Sequence, residues 1–131
     1  MKIDRRKLGS KNKEWGEFCE QLAAEYFIKN GYTVRERNWR LNRLEIDIIL
    51  EKDRTIIFVE VKGRDGENSD PVLAVDHKKR LRIINAADVY LRRLPHLYQY
   101  RFDIFAVSRT KDNYETIHLP DAFIPMVNNG R

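Results

Sequence analysis

The sequence predicts an α/β fold, a mixed β-sheet covered by helices. Two stretches carry apolar residues at helical spacing, one over 15–27 and one over 83–94. Short runs rich in Ile, Val and Phe at 44–50, 55–61 and 101–108 read as strands. The second helical stretch lies between the second and third of those runs, a connection long enough to set the two strands parallel.

The first helix is marked by Trp15, Phe18, Cys19, Leu22, Ala23, Tyr26 and Phe27, at the i, i+3, i+4, i+7 recurrence of one helical face, and Gly31 supplies its stop. The runs 44–50 and 55–61, with turn-prone Lys52 and Asp53 between them, predict a hairpin. Residues 63–74, GRDGENSDPVLA, predict an exposed loop. A helix from about residue 76 to 94 would bury Ile83, Ile84, Ala87, Tyr90, Leu91 and Leu94 and end before Pro95. A third strand at 101–108 and a fourth at 114–119 complete the order helix, strand, strand, helix, strand, strand.

The 131 residues fit one domain with its own hydrophobic core, with a basic segment 1–13 and a tail 121–131 expected to fray. Apolar residues make up 42% and charged residues 34%, a globular composition, and no apolar run approaches the ~20 residues of a membrane span. The basic start MKIDRRKLGSKNKEW has no apolar segment behind it, so the expected place is the cytoplasm. The lone Cys19 and three scattered histidines offer neither an internal disulfide nor a structural zinc spacing. Lys and Arg number 25 against 20 Asp and Glu, a net charge of +5 that permits a polyanionic partner without demanding one.

The chemistry lies where charges interrupt apolar strands. LEIDIIL carries Glu45 and Asp47, and IIFVEVKGR carries Glu60 and Lys62. Alternation puts each pair on one face of its strand, so pairing of the strands brings acids and a lysine together. Buried carboxylates need a cation or a wet opening. Magnesium, a hard ion that keeps several waters and takes one or two carboxylates plus substrate phosphates, suits Asp47 and Glu60. Lys62 would then orient or deprotonate the attacking water, or neutralise the phosphate. The same alternation also fits the solvated face of an ordinary hairpin with cross-strand ion pairs.

An Asp followed after an interval by Glu-Val-Lys at the end of an apolar strand matches the D…(D/E)-x-K pattern of restriction-endonuclease-like nucleases. With EQLAAEYFIKNGY, RNWR, EIDIIL, FVEVKGR, a lysine-bearing helix ending AADVYL, and RFDIFAV, spanning about residues 16–108 in order, the chain resembles the YraN-like family of that superfamily. Its motifs are also similar to those of archaeal Holliday-junction resolvases. Leu44 and Cys19 depart from it at positions where the family commonly has Gly. The resemblance implies a restriction-endonuclease-like mixed sheet flanked by helices, and a Mg2+-dependent (or Mn2+-dependent) endonuclease acting on DNA, including branched recombination or repair intermediates. It also implies a homodimer, because a branched junction presents paired strands. The helix acid it points to is Glu20; periodicity excludes only Glu17 and leaves Glu20 and Glu25 both on the flank of the apolar face.

The expected catalytic set is therefore Glu20, Asp47, Glu60 and Lys62, with Asp47, Glu60 and Glu20 on the metal and Glu45 supporting. Arg40, Arg64, Lys78, Lys79 and Arg82 are the expected nucleic-acid contacts; a solvated charged face is the competing account of the same run. Trp39 fits either base stacking or a core anchor. No helix-turn-helix or zinc-finger pattern supports base-specific reading. Two other functions remain open on the sequence: a nuclease fold that binds nucleic acid without turnover, and a structural partner that docks a subunit through AFIPMV in the tail.

Overall fold

The computed structural model describes residues 5–65 and 75–123. Its elements are α1 (Arg5–Lys29), β1 (Thr33–Leu41), β2 (Leu44–Lys52), β3 (Thr55–Asp65), α2 (His77–Arg92), β4 (Gln99–Arg109) and β5 (Tyr114–Leu119). The strands form one sheet in chain order, β1-β2-β3-β4-β5. β3 and β4 are parallel, joined through α2 as predicted, and the other neighbours are antiparallel. This is a mixed sheet flanked by helices, the arrangement of the restriction-endonuclease-like fold.

The sheet separates two core layers. On one side Ile83, Ala86, Ala87 and Tyr90 of α2 pack on Ile46, Ile56, Phe58, Phe102 and Ile104. On the other, Cys19, Ala23, Ala24 and Phe27 of α1 pack on Ile48, Ile57, Val59, Phe105 and Val107. Successive residues of β3 and β4 thus serve opposite layers, which is why both strands read as continuous apolar runs. Each fully buried phenylalanine here contributes about 2 kcal/mol of burial.

Local chemistry sets the ends of the elements. Gly31, at φ 87°, stops α1, with Tyr32 N–H donating to Phe27 O at 2.9 Å. Asp76 caps α2, its Oδ1 accepting the Lys79 N–H at 2.8 Å. The β2–β3 turn is Asp53-Arg54, both at positive φ, a two-residue connection whose twist matches the strands it joins.

The structure corrects the sequence reading in four places. Residues 33–41 form an edge strand, β1, which the sequence hid because TVRERNWRL has no apolar run and leaves much of its surface exposed. α1 begins at Arg5, ten residues before the apolar stripe starts, since helical backbone pairing needs no apolar stripe to continue. Gly63, Arg64 and Asp65 belong to β3 and not to a loop; the rest of the predicted loop, 66–74, lies outside the described residues. Gly63 is required by close packing, because a Cβ there would lie 2.5 Å from Trp15 Nε1 and 2.8 Å from Cys19 Sγ. Finally, Ala122 and Phe123 belong to the core of the chain itself. Ala122 N–H donates to Phe102 O at 2.7 Å, and Phe123 stacks on Phe102 at 5.0 Å between centroids. The rest of AFIPMV, 124–127, is outside the described residues. No helix among the described residues is long and apolar enough to cross a membrane.

Strand β4 carries a charge that its apolar pattern conceals. Asp103 is fully buried. Its carboxylate accepts from Arg101 Nε and Nη2 (2.9 and 3.1 Å), from His118 Nε2 on β5 (2.7 Å) and from the Asp121 N–H (3.0 Å). Burial pushes this carboxyl up, but the hydrogen bonds from His118 and Arg101 outweigh it and hold it below its ordinary value. Removing one partner of a buried pair costs about 3–5 kcal/mol, so Asp103→Asn should lower the unfolding free energy at pH 7 by a large part of that range. A carboxyl lowered by folding stabilises above its unfolded pKa of about 3.9, and the contribution disappears as pH falls through the folded value. Urea unfolding of both proteins should show a wide gap at pH 7 that narrows below about pH 4; a gap independent of pH would contradict the account.

Candidate active site

The predicted residues Asp47, Glu60 and Lys62 lie where the sheet forks. Paired residues of β2 and β3 run from Lys52↔Thr55 to Ile48↔Val59 and go no further, whereas β3 stays paired with β4 out to Asp65↔Arg109. Past Ile48 the carboxylate of Asp47 replaces the missing ladder, and its Oδ2 accepts the Val61 N–H at 2.8 Å. Glu60 lies across the fork, 7% exposed, close enough to Asp47 for each carboxyl to act on the other's ionisation. Two carboxylates held this close repel when both are ionised. Burial, and then the charge of Asp47, push Glu60 well above the ordinary carboxylate range. Asp47 is also raised by burial, against the pull of the Val61 N–H, so the pair resists carrying two full charges at once.

Cations approach this pair from β3 and α2. Lys62, two residues along β3 from Glu60, lies on the same face and lowers the Glu60 pKa by its charge. Lys79, in the first turn of α2, places Nζ 3.6 Å from Glu60 Oε1. Glu20 comes from α1, on the other side of the sheet. It is half-buried and raised by desolvation and then by the charge of Asp47, while a hydrogen bond from Asn38 pulls it down. The fork explains how groups from opposite layers act on one carboxylate. Glu25 is exposed and occupied with Gln21 Nε2 at 3.0 Å, so of the two flank acids only Glu20 faces Asp47.

The remaining predicted residues occupy the rim. Glu45 is exposed, 3.6 Å from Arg40 Nε. Arg64 Nε donates to Ser108 Oγ at 2.9 Å, two residues along β3 from Lys62. Lys78 is exposed. A cavity of about 450 Å³ on the α1 side is lined by Lys13, Gly16, Glu17, Glu20, Asn38 and Arg40. A second, of about 260 Å³ on the α2 side, is lined by Arg43, Glu45, Lys79, Arg82 and Ile83. Trp39 packs edge-on against Tyr90 at 5.6 Å, the core-anchor alternative.

Two features escaped the sequence reading. Asn38 sits in β1 at φ 51°, between the pairs Arg37↔Ile48 and Trp39↔Ile46, and therefore across from Asp47. Asparagine tolerates the left-handed backbone region better than other non-glycine residues, and here that conformation accompanies a side chain bonded to Glu20. An Asn within an otherwise charged strand was the available signal. The second feature is Lys79, expected on a phosphate and found on Glu60.

Among the described residues no group of three or more His, Cys, Asp or Glu side chains is drawn together as a metal cage. The donor set is instead a pair of hard-oxygen carboxyls, buried Glu60 and half-buried Asp47, with a third at a distance. That pair fits a magnesium ion, which retains waters and takes few protein ligands. The close pair also makes a stability prediction. Asp47→Asn keeps an acceptor for the Val61 N–H and removes a charge beside Glu60, so it should melt, metal-free, at or above the wild-type temperature. Asp47→Ala should melt lower, because a buried N–H without an acceptor costs about 1–3 kcal/mol. A strongly destabilised Asp47→Asn would show instead that the Asp47 charge is itself structural.

Comparison with known proteins agrees with the resemblance seen in the motifs. The model of the uncharacterised protein family UPF0102 matches residues 19–107. A UPF0102 protein of Phocaeicola vulgatus is 36% identical over 119 residues, covering 90% of this chain and 98% of the relative. One from Bacteroides thetaiotaomicron is 35% identical over 117 residues, 88% of this chain and 97% of the relative. One from Clostridium perfringens is 42% identical over 117 residues, 86% of this chain and 95% of the relative. A family match containing β1–β3 and α2, with relatives aligned over nearly their whole length, shows that this chain belongs to the UPF0102 family, the YraN-like family its motifs resemble.

Proposed function

We propose that this protein is a metal-dependent endonuclease that hydrolyses DNA phosphodiester bonds, including those of branched recombination or repair intermediates. The observation that carries the reading is the placing of Asp47 and Glu60 together at the sheet fork, Glu60 buried and Asp47 half-buried, with Lys62 on the same face of β3. A fold has no structural need for two carboxyls in one desolvated gap, since replacing them by apolar residues commonly costs nothing. Perturbed acids paired at an opening are typical of catalytic sites.

Asp47 and Glu60 would hold Mg2+ or Mn2+, with Glu20 contributing from α1. When bound, the ion supplies Lewis-acid stabilisation of the charge that develops on the phosphate. The ammonium of Lys62 orients the attacking water or neutralises a phosphate oxygen, and the Val61 N–H keeps Asp47 in place. Arg40 on one rim, and Arg64, Lys78, Lys79 and Arg82 on the other, neutralise neighbouring backbone phosphates. That arrangement reads charge and shape, not base sequence. A homodimer would present two such forks to the paired strands of a junction, and the cytoplasm is the compartment where that substrate would be met. Binding without turnover is the alternative for the same fork, and the intact set Asp47, Glu60 and Lys62 favours the enzyme.

The test is cleavage of linear, single-stranded, flap and four-way-junction DNA by purified protein in Mg2+ or Mn2+. Asp47→Ala, Glu60→Ala and Lys62→Ala should each lower the rate about 10²-fold or more while leaving DNA binding largely intact. Glu20→Ala should lose more activity than Glu25→Ala. Wild-type rates in all three folded site variants would overturn the assignment.

The rim makes a separate prediction about binding. Replacing Lys78, Lys79 and Arg82 by Ala should weaken DNA binding across sequences and flatten its salt dependence by about one unit of slope per lost phosphate contact. Unchanged affinity and slope would return these residues to an ordinary solvated face.

A further inference from the structure

Lys79 stands in an unusual position for a surface lysine. Its amide is fixed by the Asp76 cap, its side chain is about a third exposed, and its ammonium reaches 3.6 Å from a carboxyl that is itself nine-tenths buried. Glu60 is also one of the two acids expected to hold the metal. A lysine and a divalent ion cannot both sit against one carboxylate oxygen without strong like-charge repulsion. The 260 Å³ cavity beside Lys79 offers its ammonium a second position, bordered by Glu45, which lines the same space.

Resting on the metal-site reading above, we infer that Lys79 is a displaceable counter-ion that occupies Glu60 in the metal-free protein and competes with the metal for that carboxylate. On metal entry the side chain swings into the cavity lined by Arg43, Glu45 and Arg82. There its charge joins the two arginines and faces the backbone of a bound polyanion. Lys79 is thus a positioning residue: it holds Glu60 facing the fork before the metal arrives and moves to the substrate afterwards. By linkage, whatever draws Lys79 off Glu60 favours the metal, so metal and polyanion assist each other's binding.

The experiment is calorimetric titration of Mn2+ alone, at one fixed pH, into the wild type, Lys79→Met, Lys79→Arg and Arg82→Met. Melting curves first establish that each variant is folded, and Lys79→Gln serves as a second neutral variant. Lys79→Met and Lys79→Gln should bind Mn2+ at least about fivefold more tightly than the wild type, because the competing charge is gone. Lys79→Arg, which keeps the charge, should restore wild-type affinity. Arg82→Met removes an equal charge three residues along the helix and should change the affinity much less. Equal or weaker Mn2+ binding by the neutral Lys79 variants, with the wild type binding normally, would overturn the competition while leaving the metal site standing. Equal tightening by Arg82→Met would overturn it too, by showing a general charge effect. Absence of Mn2+ binding in the wild type and in every variant would overturn the metal-site reading and this inference with it.

Discussion

The constraint on which the site depends is the close approach of the Asp47 and Glu60 carboxyls, made where the antiparallel ladder of β2 and β3 ends. Two acids in a desolvated gap repel when both are ionised, and an unpaired buried charge costs several kcal/mol. The protein meets this in three ways at once. Ionisation of Glu60 is disfavoured, the Val61 N–H is committed to Asp47, and the ammonium of Lys79 is brought to Glu60. Each is a partial answer to the same repulsion.

The rest of the fold holds this fork in place. β3 continues in parallel register with β4 for its full length, so Glu60 and Lys62 are mounted on a strand that keeps a ladder on one side after losing it on the other. Sites on such elements are positioned more exactly than sites on loops. The two core layers anchor α1 and α2 against opposite faces, and the fork is the gap through which Glu20 and Lys79 act on the same pair. Gly63 permits the close approach of α1, because a side chain there would collide with Trp15 and Cys19. The Asp103 network ties β4 to β5 and, through Arg101 and the Tyr32 hydroxyl, to the segment following α1. It shows that an acid buried in this sheet can be purely structural when its hydrogen bonds are complete. Asp47 and Glu60 differ in that burial raises both above their ordinary values.

Local chemistry made much of the fold legible in the sequence. The stripe from Trp15 to Phe27, the Gly31 stop, the Asp76 cap and the apolar runs of β2, β3 and β4 each obey a rule that acts within a few residues. β1 was not legible, because an edge strand that stays largely exposed needs no apolar run and takes its pairing from β2. Asp103 sat in a strand read as apolar, since its partners Arg101, His118 and Asp121 are brought around it by β4, β5 and the turn that follows.

For the site, the sequence by itself determined which residues are the candidates: Asp47, Glu60 and Lys62 stand out because charge inside an apolar strand has to be compensated. The family likeness added Glu20, which periodicity alone did not separate from Glu25. Only the tertiary structure decided how these groups meet. The point at which β2 parts from β3, the Asn38 bond to Glu20 and the reach of Lys79 to Glu60 all join elements far apart in the chain. The physical reason is range. Periodicity and capping are set by neighbours along the chain, whereas the protonation of a buried carboxyl is set by the charges and solvent within a few ångströms of it, and folding alone brings those together.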